Sequence, residues 1–118
     1  MSEQRTLLVV DDDVETLGYL DTVLASAGYE IVTAADVPAA RRALDCRRFD
    51  MVLTDLSLPG GSGLDVLEAA RRADPVTVGI VLSGHGTVNS ALDAMRQGAY
   101  DYLVKPCAPE ILLAAVKR

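Results

Sequence analysis

Residues 51–63 read MVLTDLSLPGGSG, an apolar run that ends in one carboxylate, Asp55, and continues into a turn of proline and glycine. Four apolar or β-branched residues in a row are typical of a strand that is buried on both faces. We therefore expect Asp55 to lie where a parallel sheet ends, which is where such sheets bind their ligands. An aspartate after a strand also often caps the following helix, so this stretch alone leaves both interpretations open.

The rest of the chain repeats the alternation of strand and helix. Predicted strands cover 7–10, 29–33, 51–54, 77–82 and 100–104, and predicted helices cover 14–27, 36–44, 62–73, 87–97 and 109–118. Alternating strands and helices form a parallel sheet, and right-handed crossovers place helices on both faces. Five strands favour a doubly wound, flavodoxin-like (βα)5 fold with strand order 2-1-3-4-5. We expect one domain over residues 1–118.

Composition and charge exclude several classes of function for this segment. Its 17 acidic and 11 basic residues give a net charge of −6, which repels phosphate backbones, so we expect no direct binding of nucleic acid. No apolar run approaches the ~20 residues that a membrane span requires, and we expect a cytoplasmic protein. Cys46 and Cys107 lack metal-ligand spacing and are predicted to be buried thiols without a disulfide.

Polar side chains follow four of the five predicted strands. They are Asp11 and Asp12 after the first, Asp55 after the third, Ser83 after the fourth and Lys105 after the fifth. Three carboxylates in one crevice repel each other unless a cation offsets them, and oxygen donors favour Mg²⁺, or Mn²⁺, over zinc. A carboxylate nucleophile beside a cation, an ammonium and a hydroxyl is suited to phosphoryl transfer.

The order and spacing of four motifs make the chain similar to the receiver domain of two-component response regulators over essentially its whole length. The motifs are residues 8–12 (LVVDD), 55–59 (DLSLP) with Gly63, 82–84 (LSG) and 101–106 (DYLVKP). The resemblance implies a switch that is activated by phosphorylation, and it implies the (βα)5 fold.

The resemblance also implies roles for individual residues. Asp55 resembles the acceptor of a phosphoryl group from a phosphohistidine on a sensor histidine kinase, and Lys105 the lysine that neutralises a phosphoryl oxygen. Asp12 and Asp55 resemble direct Mg²⁺ ligands, Asp11 a ligand that acts largely through water, and Ser57 a ligand through its backbone carbonyl.

A second group of residues resembles the switch of the family. Ser83 would swing toward the phosphoryl group, and the Tyr102 ring would turn inward from a more exposed rotamer. The Lys105–Pro106 peptide bond resembles one that is cis in the family. His85, two residues after Ser83, is either a modulator of hydrolysis or an exposed loop histidine.

The implied protein is a signalling module and not a conventional enzyme, although it would catalyse its own phosphorylation and dephosphorylation. We expect it to be part of a longer regulator whose output domain, expected to be transcriptional, lies outside this segment. The fourth helix, fifth strand and fifth helix would form a partner or homodimer surface. One alternative is an interaction module with the same fold that acts without phosphorylation. Another is a Mg²⁺-dependent phosphatase, but such enzymes carry a second acid where this chain has Ser57.

Overall fold

Strands and helices alternate along the chain, and the structure, a computed structural model, describes residues 4–84 and 88–117. In chain order the strands are β1 Thr6–Val10, β2 Glu30–Ala34, β3 Met51–Thr54, β4 Ser57–Leu58, β5 Gly61–Ser62, β6 Val78–Ser83 and β7 Asp101–Val104. The helices are α1 Val14–Ser26, α2 Val37–Cys46, α3 Gly63–Ala73, α4 Val88–Arg96 and α5 Pro109–Lys117.

The large sheet is parallel throughout and has the strand order β2-β1-β3-β6-β7. Counted without the two short strands, this is the order 2-1-3-4-5, so the predicted flavodoxin-like fold is confirmed. The chain reverses its direction of winding between β1 and β3. The crevice at the carboxyl ends of these two strands is where a doubly wound sheet binds its ligand.

Helices cover both faces of the sheet because the central strands are apolar on both sides. Leu7 and Val9 of β1 belong to the core that includes residues of α1 and α5, and Leu8 and Val10 to the core that includes residues of α2 and α3. None of these four side chains is more than 1% exposed. Burying one such side chain stabilises the fold by about 1.5–3 kcal/mol. The central strands are therefore a rigid base for the residues that follow them.

The short hairpin of β4 and β5 was not predicted. It pairs Leu58 with Gly61 and is closed by Pro59 and Gly60. Gly60 has a φ of +84°, a conformation that favours glycine. The run of proline and glycine after Asp55 is therefore an ordered turn within a hairpin.

Two residues of the helices are more exposed than the sequence predicts. Cys46, at the end of α2, is exposed, so the prediction of two buried thiols holds only for Cys107. The helical spacing of α4 predicts that Met95 faces inward, but Met95 is 48% exposed, because its neighbour Ala94 takes the buried position. Among the helices described, none is long and apolar enough to cross a membrane.

Candidate functional site

Two neighbouring strands place Asp11 and Asp55 side by side. Val10 of β1 is in register with Thr54 of β3, and each aspartate is the next residue along its strand. The Asp55 N–H donates to the Val10 carbonyl at 2.8 Å, which extends the pairing by one step. The buried Thr54 hydroxyl donates to the Asp55 carbonyl at 2.9 Å. The backbone of Asp55 is therefore fixed from two sides.

Three carboxylates meet at this edge of the sheet. Asp11, Asp12 and Asp55 each offer an oxygen, and these oxygens lie within 4.8 Å of one another. The three residues differ in burial, because Asp11 is only 1% exposed, Asp55 is half-buried and Asp12 is exposed. The site is therefore a crevice in which Asp11 is buried at the bottom, Asp55 is partly accessible to solvent and Asp12 is exposed at the opening.

Lys105 brings a positive charge to the same crevice from β7. Val104 is in register with Ser83, and the Lys105 N–H donates to the Ser83 carbonyl at 2.8 Å. The Lys105 ammonium donates to Asp11 Oδ2 at 2.6 Å and to Asp55 Oδ2 at 3.0 Å. One cation thus bridges the acids of two different strands.

The ionisation of Lys105 is set by two opposing effects. Burial lowers the pKa of its ammonium. The hydrogen bonds to Asp11 and Asp55 and the negative charges of these two acids together raise the pKa by more than burial lowers it, so that it lies above the ordinary value for lysine. Because the pKa is raised in the folded state, the resulting stabilisation is complete below the ordinary lysine pKa. It is lost only as the pH rises through the raised value. Near neutral pH, Lys105 is a fixed positive charge.

The carboxylates of the three acids differ in how many hydrogen bonds their oxygens already accept. Asp11 Oδ1 accepts a hydrogen bond from the Asp13 N–H at 2.9 Å, and Asp11 Oδ2 accepts from Lys105. In the two described segments, no group hydrogen-bonds the carboxylate of Asp12. The oxygens of Asp12 are thus the most available to a cation, whereas Asp55 accepts one hydrogen bond on each oxygen, from the Ser57 N–H at 3.3 Å and from Lys105 at 3.0 Å. A donor set of carboxylate oxygens without histidine or cysteine fits Mg²⁺ or Mn²⁺.

The hairpin after Asp55 shapes the outer wall of the crevice. Asp55 Oδ1 accepts from the Ser57 N–H at 3.3 Å, which joins the carboxylate to the start of β4. A Cβ atom at position 63 would overlap the Asp55 carbonyl oxygen, so Gly63 permits this close approach. The Gly63 N–H donates to the Leu56 carbonyl at 2.8 Å. The metal-binding role of the Ser57 carbonyl stays a prediction.

The two predicted switch residues lie on the neighbouring strands. Ser83 ends β6, is only 4% exposed and lies at the same edge of the sheet as Lys105. Tyr102 is half-buried in β7, and its hydroxyl lies 2.9 Å from the Ser90 hydroxyl on α4. The ring is thus partly covered by α4, and the switch roles of Ser83 and Tyr102 stay predictions. Ser90 was missed, since nothing in the sequence shows which helix residue meets Tyr102.

Asp13 lies beside the crevice but has a different partner. Its carboxylate accepts from the Glu15 N–H at 3.2 Å and from the Thr16 hydroxyl at 2.8 Å. It is the N-cap of α1. His85, the candidate modulator of hydrolysis, lies outside the described residues.

An open pocket of about 750 Å³ lies beside Lys105, between α1 and the segment after β7. Tyr19 of α1 donates its hydroxyl to the Cys107 carbonyl at 2.8 Å across one side of this pocket. Burial raises the pKa of the Cys107 thiol, so it is a poor nucleophile at neutral pH. The Lys105–Pro106 peptide bond is cis, as the family resemblance implies. The pocket was not predicted from the sequence.

Comparison with known proteins connects this site to one family. Residues 7–117 match the family described as "Response regulator receiver domain". A curated relative, the alginate biosynthesis transcriptional regulatory protein AlgB of Pseudomonas aeruginosa, is 40% identical over 117 residues. The alignment covers 98% of this chain but only 26% of AlgB, so the chain spans about a quarter of that relative.

Solved structures share the architecture over nearly the whole chain. A CheY-like response regulator receiver domain protein from Methanospirillum hungatei superposes with a TM-score of 0.92 at 29% identity, covering 98% of this chain and 92% of its own. A response regulator from Burkholderia pseudomallei, solved with a phosphorylated aspartic acid, a calcium ion and citrate, superposes with a TM-score of 0.89 at 30% identity. That match covers 95% of this chain and 66% of the other.

Proposed function

Because the chain belongs to the response regulator receiver domain family, we propose that it is a cytoplasmic signalling switch that accepts a phosphoryl group on Asp55 from a sensor histidine kinase. The observation that carries this proposal is the Lys105 ammonium, held between Asp11 and Asp55 beside a third carboxylate. This arrangement brings three carboxylates and one positive charge into one crevice, which supports Asp55 as the nucleophile, Lys105 as the neutralising charge and the acids as metal ligands. The phosphorylated aspartic acid of the Burkholderia pseudomallei relative supports the same chemistry.

The transfer needs two displacements at phosphorus. In the first, an Asp55 oxygen attacks the phosphorus of the phosphohistidine, an O–P bond forms, and the N–P bond breaks with its electron pair going to the imidazole. In the second, a water oxygen attacks the phosphorus and forms a new O–P bond, the bond between Asp55 and phosphorus breaks with its electron pair going to the carboxylate, and inorganic phosphate leaves with the proton that the water gives up. Lys105, 3.0 Å from Asp55 Oδ2, is placed to neutralise a phosphoryl oxygen in both steps. The chain would thus catalyse its own phosphorylation and dephosphorylation without being a conventional enzyme.

Mg²⁺, or Mn²⁺, is the cofactor that the donor set supports. We assign Asp12 and Asp55 as direct ligands. No described group hydrogen-bonds the Asp12 carboxylate, and Asp55, although both of its oxygens accept hydrogen bonds, is less buried than Asp11 and accepts over longer distances, 3.3 and 3.0 Å against 2.9 and 2.6 Å. Asp11 has both oxygens engaged by Lys105 and the Asp13 N–H, which supports a contribution through water. The Ser57 carbonyl completes the predicted set. When bound, the ion neutralises negative charge on the phosphoryl group.

The output proposed for the switch is transcriptional. AlgB, of which this chain matches about a quarter, is named a transcriptional regulatory protein. The exposed apolar side chains of α4, β7 and α5 support a partner or homodimer surface on these elements, with Leu92 47%, Val104 55% and Ile111 57% exposed. An interaction module that acts without phosphorylation is disfavoured, because the acids, the lysine and the hydroxyl of the site are all present.

Metal binding and labelling test this assignment together. We expect Asp12→Asn to weaken Mg²⁺ binding roughly 100-fold, and Asp11→Asn to weaken it about tenfold or less, because a direct ligand contributes more than one that acts through water. Isothermal titration calorimetry with MgCl₂ measures the affinities. Labelling of the same proteins by acetyl phosphate, followed by intact-mass measurement, should fall in the same order.

Asp13→Asn is the matched control. Asparagine caps a helix as well as aspartate does, so this variant removes a neighbouring charge and keeps the cap of α1. We expect its Mg²⁺ affinity and labelling to stay near those of the unmodified chain. Unchanged Mg²⁺ affinity in Asp12→Asn would contradict the metal site, and no labelling of the unmodified chain in Mg²⁺ would favour the interaction module.

A further inference from the structure

The hydroxyl groups of Ser90 and Tyr102 join α4 to β7. Their oxygens are 2.9 Å apart, and Ser90 lies in the first turn of α4. The Tyr102 ring packs against the apolar cluster formed by Leu67, Val81, Ala94 and Ala99. Val104, two residues further along the same face of β7, is 55% exposed. The α4 helix therefore covers Tyr102 but leaves Val104 exposed, and the Tyr102 hydroxyl contacts Ser90 on this same helix.

Ser90 also faces the loop that follows the predicted acceptor. A groove of about 370 Å³ lies between α4 and the opposite wall formed by the hairpin of β4 and β5 and the start of α3. Its lining includes Ser57 of the hairpin and Leu64 of α3 on one side and Ser90 and Asp93 on the other. Ser57 is the residue whose N–H donates to the Asp55 carboxylate. Ser90 therefore lies between the loop attached to Asp55 and the ring of Tyr102.

We propose that Ser90 is the positioning residue of the tyrosine switch, and that its hydroxyl bond to Tyr102 holds the ring inward and sets the resting balance between the two switch conformers. The inference rests on the proposed function, in which the inward ring belongs to the activated conformer. A half-buried tyrosine hydroxyl needs a polar partner, and Ser90 supplies one from α4. Losing one such hydrogen bond changes an equilibrium constant by roughly two- to tenfold.

Helix stability does not account for a serine at this position. Alanine is a better helix former than serine, so Ser90→Ala should strengthen α4 when the contact with Tyr102 is disregarded. A shift of the switch away from the inward ring in this variant therefore cannot come from a weakened helix. It has to come from the lost hydroxyl.

The other end of α4 offers a matched control. The Arg71 guanidinium of α3 donates to the Gln97 carbonyl, just beyond the last turn of α4, at 2.8 Å. Arg71→Met removes this hydrogen bond from α4 without touching Tyr102. If Ser90 acts by holding the ring, Ser90→Ala should move the switch and Arg71→Met should not.

The experiment is a beryllofluoride titration of the 118-residue chain in saturating Mg²⁺, followed by the amide chemical shifts of Tyr102 and α4. Beryllofluoride imitates the phosphoryl group. We expect Ser90→Ala to move the resting shifts away from the beryllofluoride-bound values and to weaken beryllofluoride binding roughly two- to tenfold. Ser90→Thr, which keeps a hydroxyl, should restore both. Tyr102→Phe should have an effect similar to that of Ser90→Ala, and combining the two should add little, since they remove the same bond.

Each outcome decides between the claims. If the unmodified chain responds to beryllofluoride and Ser90→Ala behaves identically, the role of Ser90 is wrong and the proposed function stands. Equal effects of Ser90→Ala and Arg71→Met, or independent effects of Ser90→Ala and Tyr102→Phe, also overturn it. If the unmodified chain does not respond at all, the proposed function fails and the inference about Ser90 fails with it.

Discussion

Asp55→Asn should abolish labelling of the chain by acetyl phosphate in Mg²⁺. The side-chain amide has nearly the shape of the carboxylate, but its oxygen is not a nucleophile that can form a stable bond to phosphorus. The hydrogen bond from the Ser57 N–H and the bonds that fix the Asp55 backbone can persist in the variant. The loss would therefore report chemistry and not a damaged fold. Intact-mass measurement should show one phosphoryl group on the unmodified chain and none on the variant.

An exposed acid outside the site provides the comparison. Asp21 lies on α1 and is exposed, so Asp21→Asn removes the same charge without touching the crevice. We expect its labelling to match that of the unmodified chain. Equal labelling of Asp55→Asn would show that the acceptor lies elsewhere.

Replacing Lys105 by methionine should slow phosphorylation by about a hundredfold while leaving metal binding intact. In the proposed function the ammonium neutralises a phosphoryl oxygen, and removing one such group costs about this much in rate. Mg²⁺ affinity should rise rather than fall. The carboxylates of Asp11 and Asp55 lose the Lys105 ammonium that they share, so no fixed positive charge competes with the ion. A time course of labelling by intact mass, with Mg²⁺ titration by calorimetry, separates the two effects.

The same variant should also be less stable. Asp11 is nearly fully buried, and without Lys105 its Oδ2 atom loses the hydrogen bond that compensates for burial. Leaving a buried polar group without its partner costs about 1–3 kcal/mol, which denaturant unfolding can measure. Lys117→Met, at the exposed end of α5, is the control and should change neither rate nor stability. A labelling rate for Lys105→Met equal to that of Lys117→Met would contradict the role of Lys105.

The fold could be predicted because its signals are local. The apolar runs of β1 and β3 and the glycines after α1 and α4 mark element ends without reference to the rest of the chain. Asp11 and Asp55 could be placed together because pairing of parallel strands puts consecutive strand ends at one edge. The meeting of these acids with Lys105 follows from the same rule applied to β7.

The features that could not be predicted depend on contacts between distant elements. The bond between Ser90 and Tyr102 requires knowing how α4 is rotated against β7, and the periodicity of α4 does not fix this, as the exposed Met95 shows. The pocket beside Lys105 depends on the distance between α1 and the segment that follows β7. Sequence patterns indicate which face of a helix is buried but not which residue on that face meets a given partner.

The difference between Asp11 and Asp12 shows the same limit. The sequence presents them as neighbours of equal chemistry, and the family resemblance alone separated their roles. The structure supplies a physical reason, because Asp11 is buried with both oxygens engaged while Asp12 is exposed. Both residues lie beyond the end of β1, and Asp12 is at a bend of the chain where it stays exposed, so burial decides which of the two keeps free oxygens.

The central claim is that a change at Asp55 is converted into a change at a distant surface. Amide chemical shifts of the chain in Mg²⁺, recorded with and without beryllofluoride, test this most directly. A switch predicts changes at the crevice and also along residues 88–117, which include α4, β7 and α5, because the two conformers differ there and the ligand shifts their balance. Changes confined to the crevice, with residues 88–117 unperturbed, would contradict it.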